Sequence, residues 1–432
     1  MLVSGWLMLP ASSGRVRLSR GWLMIKGGVI EALGEGDAPG SADLGGEDAV
    51  ITPGFVDAHL HLPQFDSIGQ DGLPLLQWLS TVIFPAEIRW SDPAYAASMT
   101  RRVIERLIRA GTTSIAAYAT VHHEGSVAAA EELSRSGLRA IVGQVLMDQQ
   151  APSELCRPAK KLIAEAAAFV DRVEALKNPR LMASINPRFA ISCSRELLIG
   201  AGELVHARGV YMQTHLGETV DECELAVKLH PWAFDDAARA GDEGGYTRIY
   251  ESARLLTEKS LLAHGIYLSA QERSIVRQRG CVVAHCPTAN TFLQSGIMPR
   301  REYVRSGIIT ALGSDVAGGP DVSMPRVARA MIDGAKTLAG PAALRRGGID
   351  GGEDDARIPT PARAWWQITR GNAEALGLMD AGQLKVGAAA DVLVVKPDEA
   401  SNWHAAPDPL GTLLYAWDDR WLKATVVDGR AV

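Results

Sequence analysis

A repeated alternation of short apolar runs with longer helical stretches constrains the fold of this chain more than any other feature. One helical stretch, for example, begins at the capping pair Asp92-Pro93 and ends at Gly111. Eight runs of strand type alternate with such stretches, at residues 54–57, 113–116, 139–142, 182–185, 210–213, 260–263, 281–284 and 308–312. Eight strand–helix units predict an α/β fold, a (β/α)8 TIM-like barrel, with an open doubly wound sheet as the alternative.

Both ends of the chain carry β-type segments outside this alternation. These short apolar runs, separated by Gly, Ser and Asp turns, lie at 6–9, 21–26, 29–33, 391–395 and 424–428. They predict a small β-sandwich domain formed from both termini. We therefore expect a discontinuous β domain, 1–53 with 366–432, and a barrel domain, 54–365.

Composition excludes several classes of partner. The 432 residues contain 44 Lys and Arg against 50 Asp and Glu, a net charge of −6, so the chain lacks the basic footprint of a nucleic-acid or anionic-membrane binder. No run is apolar enough to span a membrane, and the N-terminus shows no secretory signal. The five cysteines are odd in number and widely spread, which suits reduced thiols. We expect a soluble cytoplasmic enzyme acting on a small molecule.

Polar residues with metal-binding chemistry follow four of the predicted strands. They are His59 and His61 after the first strand, His215 after the fifth, His264 after the sixth and Asp315 after the eighth. Active sites of parallel barrels lie at this end of the strands, so these side chains are expected to converge. Imidazole nitrogens with a carboxylate suit zinc or iron(II), with a position left open for water.

Glu218 stands three residues after His215. A carboxyl group beside a metal site can take a proton from an attacking water and pass it to a leaving nitrogen. An acidic residue in the first turn of a helix is also favoured by the helix dipole, which is the structural alternative.

Several phrases give the chain a resemblance to the amidohydrolase superfamily and, within it, to the guanine deaminases. The phrases are PGFVDAHLH (53–61), PLLQWL (74–79), FPAE (84–87), PRF (187–189), HLGE (215–218), AHG (263–265), HCP (285–287) and GSDVAGG (313–319). They extend from about residue 51 to about residue 329. The metal-type residues are specific for the superfamily only, whereas Gln64 and the phrases at 84–87 and 187–189 favour this one family.

The resemblance implies a role for each of the strand-end residues. His59, His61, His215 and Asp315 would bind a single zinc ion. Glu218 would shuttle protons with Asp315, and His264 would hydrogen-bond the attacking water. Two-metal members of the superfamily carry a lysine after strand four, where this chain has Arg188.

The resemblance also places the substrate residues. Guanine presents O6 and N7 as adjacent acceptors, which match the two-pronged donor of Arg188. Gln64 offers both a donor and an acceptor to the ring, and Phe189 and Trp78 are suited to stack on its faces. Without the resemblance, an arginine after a strand is more often a surface ion-pair partner and an aromatic residue more often core.

The resemblance implies zinc-dependent hydrolysis of guanine to xanthine and ammonia, with two alternatives. Gly217 replaces a common serine, and Thr288 to Asn290 and 369–372 also depart from the guanine deaminases, so a related pterin, aminopurine or triazine deaminase is one alternative. A non-catalytic scaffold that has lost the chemistry is the other. Family members are often homodimers. The loop at 234–245 follows the fifth strand and is expected to border the pocket. The loop at 347–355 is expected to take no part in the chemistry.

Overall fold

The computed structural model describes residues 1–12, 14–234, 244–344 and 358–432. Two β-sheets organise it, one of seven strands and one of eight. Within those residues, none of the helices combines the length and the apolar character needed to cross a lipid bilayer.

The seven-stranded sheet joins both ends of the chain. Its strands, in spatial order, are β15 (Arg430–Ala431), β14 (Leu422–Val427), β13 (Val392–Val395), β4 (Leu44–Pro53), β1 (Leu2–Pro10), β2 (Val16–Lys26) and β3 (Val29–Glu35). β1 pairs antiparallel with β2 and parallel with β4, so the sheet is mixed. Side chains at alternate positions, such as Val3, Ile51 and Val392, pack in one core. The predicted β domain from both termini is confirmed, as one mixed sheet.

The eight-stranded sheet is the predicted parallel barrel, and its strands follow one another in chain order. They are β5 (Phe55–His61), β6 (Thr112–Tyr118), β7 (Arg139–Leu146), β8 (Leu181–Pro187), β9 (Tyr211–Leu216), β10 (Ser260–His264), β11 (Val282–His285) and β12 (Ile309–Leu312). Each of the eight predicted runs overlaps one of them. Every residue of β5, β6 and β7 is buried, as expected for strands of a parallel sheet that is covered on both faces.

Backbone hydrogen bonds bring the first barrel strand to the segment that follows the last. The amide of Asp315 donates to the carbonyl of His59 at 2.8 Å, and the amide of His61 donates to the carbonyl of Val316 at 3.0 Å. The ring of strands is therefore nearly closed. Closure sets the residues after β12 directly beside those that end β5.

Fifteen α-helices lie in the described part of the chain, along with short 3-10 and π-helical segments. They are α1 (Leu75–Trp78), α2 (Phe84–Ile88), α3 (Pro93–Arg109), α4 (His123–Ser136), α5 (Ala159–Ala175), α6 (Arg195–Arg208), α7 (Val220–Leu229), α8 (Gly245–Ser252), α9 (Ala270–Gln278), α10 (Pro287–Phe292), α11 (Arg300–Arg305), α12 (Met324–Leu344), α13 (Pro361–Trp366), α14 (Asn372–Ala375) and α15 (Pro409–Tyr415). Capping is explicit at α7 and α9, where Thr219 and Ser269 each form a reciprocal capping box with a glutamate three residues on.

By its contacts the chain divides into a unit of residues 1–58, 104–115 and 322–432 and a unit of residues 59–103 and 116–321. The first unit holds the mixed sheet, and there the buried Asn372 donates to the carbonyl of Val56 in β5 at 2.7 Å. That contact gives the stretch at 369–372 a structural role. The second unit contains every predicted site residue. The domain boundaries at 53, 54, 365 and 366 stay a prediction.

Candidate active site

The ends of four barrel strands deliver the predicted metal-type residues to one place. One ring nitrogen each from His59, His215 and His264 and one carboxylate oxygen of Asp315 all lie within 4.8 Å of one another. His61 joins them, because its Nε2 lies 3.1 Å from Nε2 of His215 and 3.5 Å from Oδ1 of Asp315. Nε2 of His59 lies 3.1 Å from the same carboxylate oxygen.

Two outer contacts fix which nitrogen of the ring points inward. Nδ1 of His215 donates to the carbonyl of Arg188 at 2.6 Å, and Nδ1 of His264 donates to Oδ1 of Asn290 at 2.9 Å. Because a neutral imidazole carries one proton, Nε2 of each ring presents a lone pair to the cluster. Such outer hydrogen bonds are the usual means of orienting metal-binding histidines.

Electrostatics favour the metal-binding form of these rings. Burial lowers the pKa of His59, His61 and His215 well below the ordinary value, and the neighbouring rings and the Arg188 charge lower it further. Metal ions bind the neutral form of histidine, so these shifts prepare the rings for a cation. Lone pairs that face one another at about 3 Å with a carboxylate among them fit a divalent ion of the zinc type.

Glu218 reaches the same cluster from the turn after β9. Its Oε2 lies 3.4 Å from Nε2 of His264, and its Oε1 accepts a hydrogen bond from the Ser295 hydroxyl at 2.9 Å. Gly217 makes the turn with a φ of 63°, a left-handed conformation that explains glycine at this position. Burial and then the nearby Asp315 carboxylate raise the pKa of Glu218 to about 8, a value suited to proton exchange near neutrality.

The backbone of two cluster residues is strained. His264 has a φ of 73° and Asp315 a φ of 50°, both in the left-handed region that non-glycine residues rarely adopt. Strain of this kind costs of order 1–3 kcal/mol per residue and persists where the surrounding structure enforces it. Here it turns both side chains from the strand direction toward the cluster.

A cavity that is partly open to solvent lies beside the cluster. All four predicted substrate residues line it together with three leucines and five residues of the cluster region. The wall includes Gln64, Leu75, Trp78, Leu79, Arg188, Phe189, Leu293, His61, His215, Glu218, His264 and Asp315. The predicted substrate and metal-type residues therefore share one cavity.

Several neighbours of the cluster carry little or no local sequence signal. The ring centroid of Tyr118 lies 4.6 Å from that of His61 and 5.1 Å from that of His215. Two residues of the segment after β11 also contact the cluster region. The Ser295 hydroxyl donates to Glu218, and Oδ1 of Asn290 accepts from His264. Glu222 has a local signal that the sequence analysis did not use, because it is the acid of a T-x-x-E capping box with Thr219. Its Oε2 accepts a hydrogen bond from the amide of Glu218 at 2.7 Å.

Arg188 is buried and paired, not a surface residue. Its Nη1 donates to both oxygens of Glu87, at 2.6 and 2.5 Å. Of the two loops noted from sequence, residues 235–243 and 347–355 lie outside the described residues.

Comparison with known proteins agrees with this geometry. The model of the Amidohydrolase family matches residues 50–432. A guanine deaminase of Dictyostelium discoideum is 36% identical over 65% of this chain and 61% of its own length, and one of Escherichia coli is 30% identical over 95% and 91%. A crystal structure of guanine deaminase from C. acetobutylicum with bound guanine superposes with a TM-score of 0.88 at 25% identity, covering 100% of this chain and 99% of the other. The chain belongs to the Amidohydrolase family and, within it, to the guanine deaminases.

Proposed function

We propose that this chain hydrolyses guanine to xanthine and ammonia. The observation that carries the proposal is the cavity that Arg188 and Gln64 share with Glu218 and the histidine–aspartate cluster. It combines donors for a purine carbonyl edge with a buried proton carrier. The relatives named guanine deaminase support the same substrate.

We also propose that His59, His61, His215 and Asp315 hold one zinc ion, with iron(II) as the alternative metal. The inward lone pairs of the rings and the carboxylate oxygen support this set. The chemistry that zinc supplies in such a site is a water that loses its proton near neutral pH. His264 is then left to orient the attacking water.

The chain's own residues carry the remaining steps of the proposed reaction. Arg188 and Gln64 hold the ring edge, and Phe189 and Trp78 bound the cavity around it. Glu218 accepts a proton from the attacking water as the oxygen bonds to the carbon that bears the exocyclic amine. Glu218 then delivers that proton to the amine nitrogen, the carbon–nitrogen bond breaks, and ammonia leaves.

The test is ammonia release from guanine, with xanthine identified as the product. Running guanine and a pterin side by side and comparing kcat/KM separates the proposed substrate from the related heterocycles. Metal analysis of the purified chain addresses the scaffold alternative. A metal-loaded chain that releases no ammonia from guanine would overturn the proposal.

Location and assembly are proposed on narrower grounds. None of the five cysteines, which all lie among the described residues, forms a disulfide, and this supports a cytoplasmic location; they are Cys156, Cys193, Cys223, Cys281 and Cys286. A homodimer is implied only by the family resemblance and stays a prediction.

A further inference from the structure

Glu87 connects the two residues proposed to read the substrate edge. Its carboxylate accepts both Nη1 hydrogen bonds of Arg188, at 2.6 and 2.5 Å, and its Oε1 also accepts from Nε2 of Gln64 at 3.1 Å. All three residues are buried, with exposed fractions of 2–3%. Glu87 thus holds an arginine and a glutamine that are far apart in sequence and that both line the cavity.

Glu87 contacts one nitrogen of the Arg188 guanidinium, Nη1, and leaves the other two, Nη2 and Nε, available. Nη1 donates to both oxygens of the Glu87 carboxylate. Nη2 and Nε make no hydrogen bond to any described residue, and the ring of Phe84 lies 5.6 Å from the guanidinium carbon. Nη2 and Nε of Arg188 are therefore the donors available to a ligand in the cavity. The guanidinium is held in this orientation, because rotating it would break a buried ion pair.

The same carboxylate decides which end of the Gln64 amide faces the cavity. A carboxylate only accepts hydrogen bonds, so the amide nitrogen of Gln64 must point to Glu87. Oε1 of Gln64 makes no hydrogen bond within the described part of the chain. The wall of the cavity therefore presents an acceptor at this position, next to the donors of Arg188.

We infer that Glu87 is a positioning residue that sets the purine specificity of the site. By holding Arg188 as a donor and Gln64 as an acceptor, it selects a ring with acceptors at O6 and N7 and an N–H on the adjacent edge. An adenine-type ring reverses two of these groups, since it carries an amine at position 6 and a bare nitrogen at position 1. The inference rests on the proposed purine substrate.

Binding of hypoxanthine and adenine, measured by titration calorimetry, tests the inference. Hypoxanthine has the guanine edge and lacks the 2-amine, so its binding is read without guanine turnover. We expect the wild-type protein to bind hypoxanthine about 100-fold more tightly than adenine, because two edge contacts are mismatched in adenine. A variant that is merely damaged would lose affinity for both ligands alike and keep this ratio.

Two variants remove the discrimination by different routes. In Glu87→Gln the new amide can donate, so Gln64 is free to turn and present its own donor. Gln64→Met removes the acceptor and leaves the Arg188–Glu87 pair intact, so it tests the inference even if Glu87→Gln does not fold. We expect the ratio of the hypoxanthine affinity to the adenine affinity to fall at least about tenfold in both variants, because one edge contact is lost.

Glu165 offers a matched control. It also clamps an arginine and a glutamine, accepting from Nη1 of Arg157 at 2.8 and 2.9 Å and from Nε2 of Gln144 at 3.2 Å, but it does not line the cavity. Glu165→Gln should keep the wild-type ratio.

The outcomes separate this inference from the proposed function. An unchanged ratio in folded Gln64→Met and Glu87→Gln, or no preference for hypoxanthine in the wild-type protein, would overturn the inference. A wild-type protein that releases no ammonia from guanine, yet loses its hypoxanthine preference in both variants, would refute the proposed function and support the role of Glu87.

Discussion

Replacing Glu218 by glutamine isolates the proposed proton transfer from the structure that surrounds it. The amide oxygen can still accept from the Ser295 hydroxyl, now 2.9 Å from Oε1. The amide nitrogen can donate to Nε2 of His264, which lies 3.4 Å from Oε2 and presents a lone pair. Shape and hydrogen bonds are therefore retained, and only the exchangeable proton is lost.

The size of the effect follows from that isolation. Loss of a positioned general acid–base group lowers rates by about 10²–10⁴, or about 2.7–5.4 kcal/mol of transition-state free energy. We expect kcat for guanine to fall by this factor in Glu218→Gln, with KM changed only a few-fold and metal content unchanged. Ammonia release and elemental analysis on the same preparation measure all three.

Glu272→Gln is the matched control, because it also replaces a buried glutamate near the start of a helix. Glu272 is 5% exposed, accepts from the amides of Ser269 and Thr247, and stands outside the cavity. Its kcat should match the wild type. A Glu218→Gln enzyme that retains kcat within about fivefold of wild type would refute the assignment, as would an equal loss in the Glu272 variant.

Three further outcomes are expected. Asp315→Asn should reduce the zinc content of the purified chain by at least about tenfold, because the carboxylate charge is removed from the cluster; full metal occupancy would count against its role as a ligand. Tyr118→Phe should leave the free energy of unfolding in urea unchanged or raise it by up to about 1 kcal/mol, since the buried hydroxyl has no partner among the described residues; a clear loss would contradict this. Burial and then the Glu218 charge raise the pKa of Glu222 to about 7, so the folded state holds a proton that the unfolded state releases near pH 4.5. Wild-type stability should therefore decline from pH 4.5 to pH 7 by about 1–3 kcal/mol from this group, and unfolding curves of Glu222→Gln should lack that decline.

The barrel was predictable from sequence because its strands are buried on both faces. Strands such as β7 and β11 are buried throughout and mostly apolar, so each stands out from the amphipathic helices around it. Parallel strands also end at one face, which let the positions of His215 and Asp315 predict a shared site. β4 was not predicted, because the first half of Leu44–Pro53 is half-buried or exposed and is rich in glycine and acids.

Contacts between segments that are distant in sequence could not be predicted from local sequence patterns. Glu87 stood in a phrase typical of the family, but nothing nearby indicated that it would hold Arg188 and Gln64. Tyr118 lies two residues beyond the predicted run 113–116, and its position against two histidines depends on the closure of the ring. Local propensity carries no information about which partners tertiary packing will bring together.

The hydrogen bonds that close the barrel also have a consequence for how this protein acquires its metal. His59 and His61 end the first strand and Asp315 follows the last, so their meeting requires the contact of greatest sequence separation in the barrel. Such contacts form late, because the chain between them must first be ordered. A partly synthesised or partly folded chain therefore lacks the complete donor set, and high-affinity metal uptake should mark the final stage of folding.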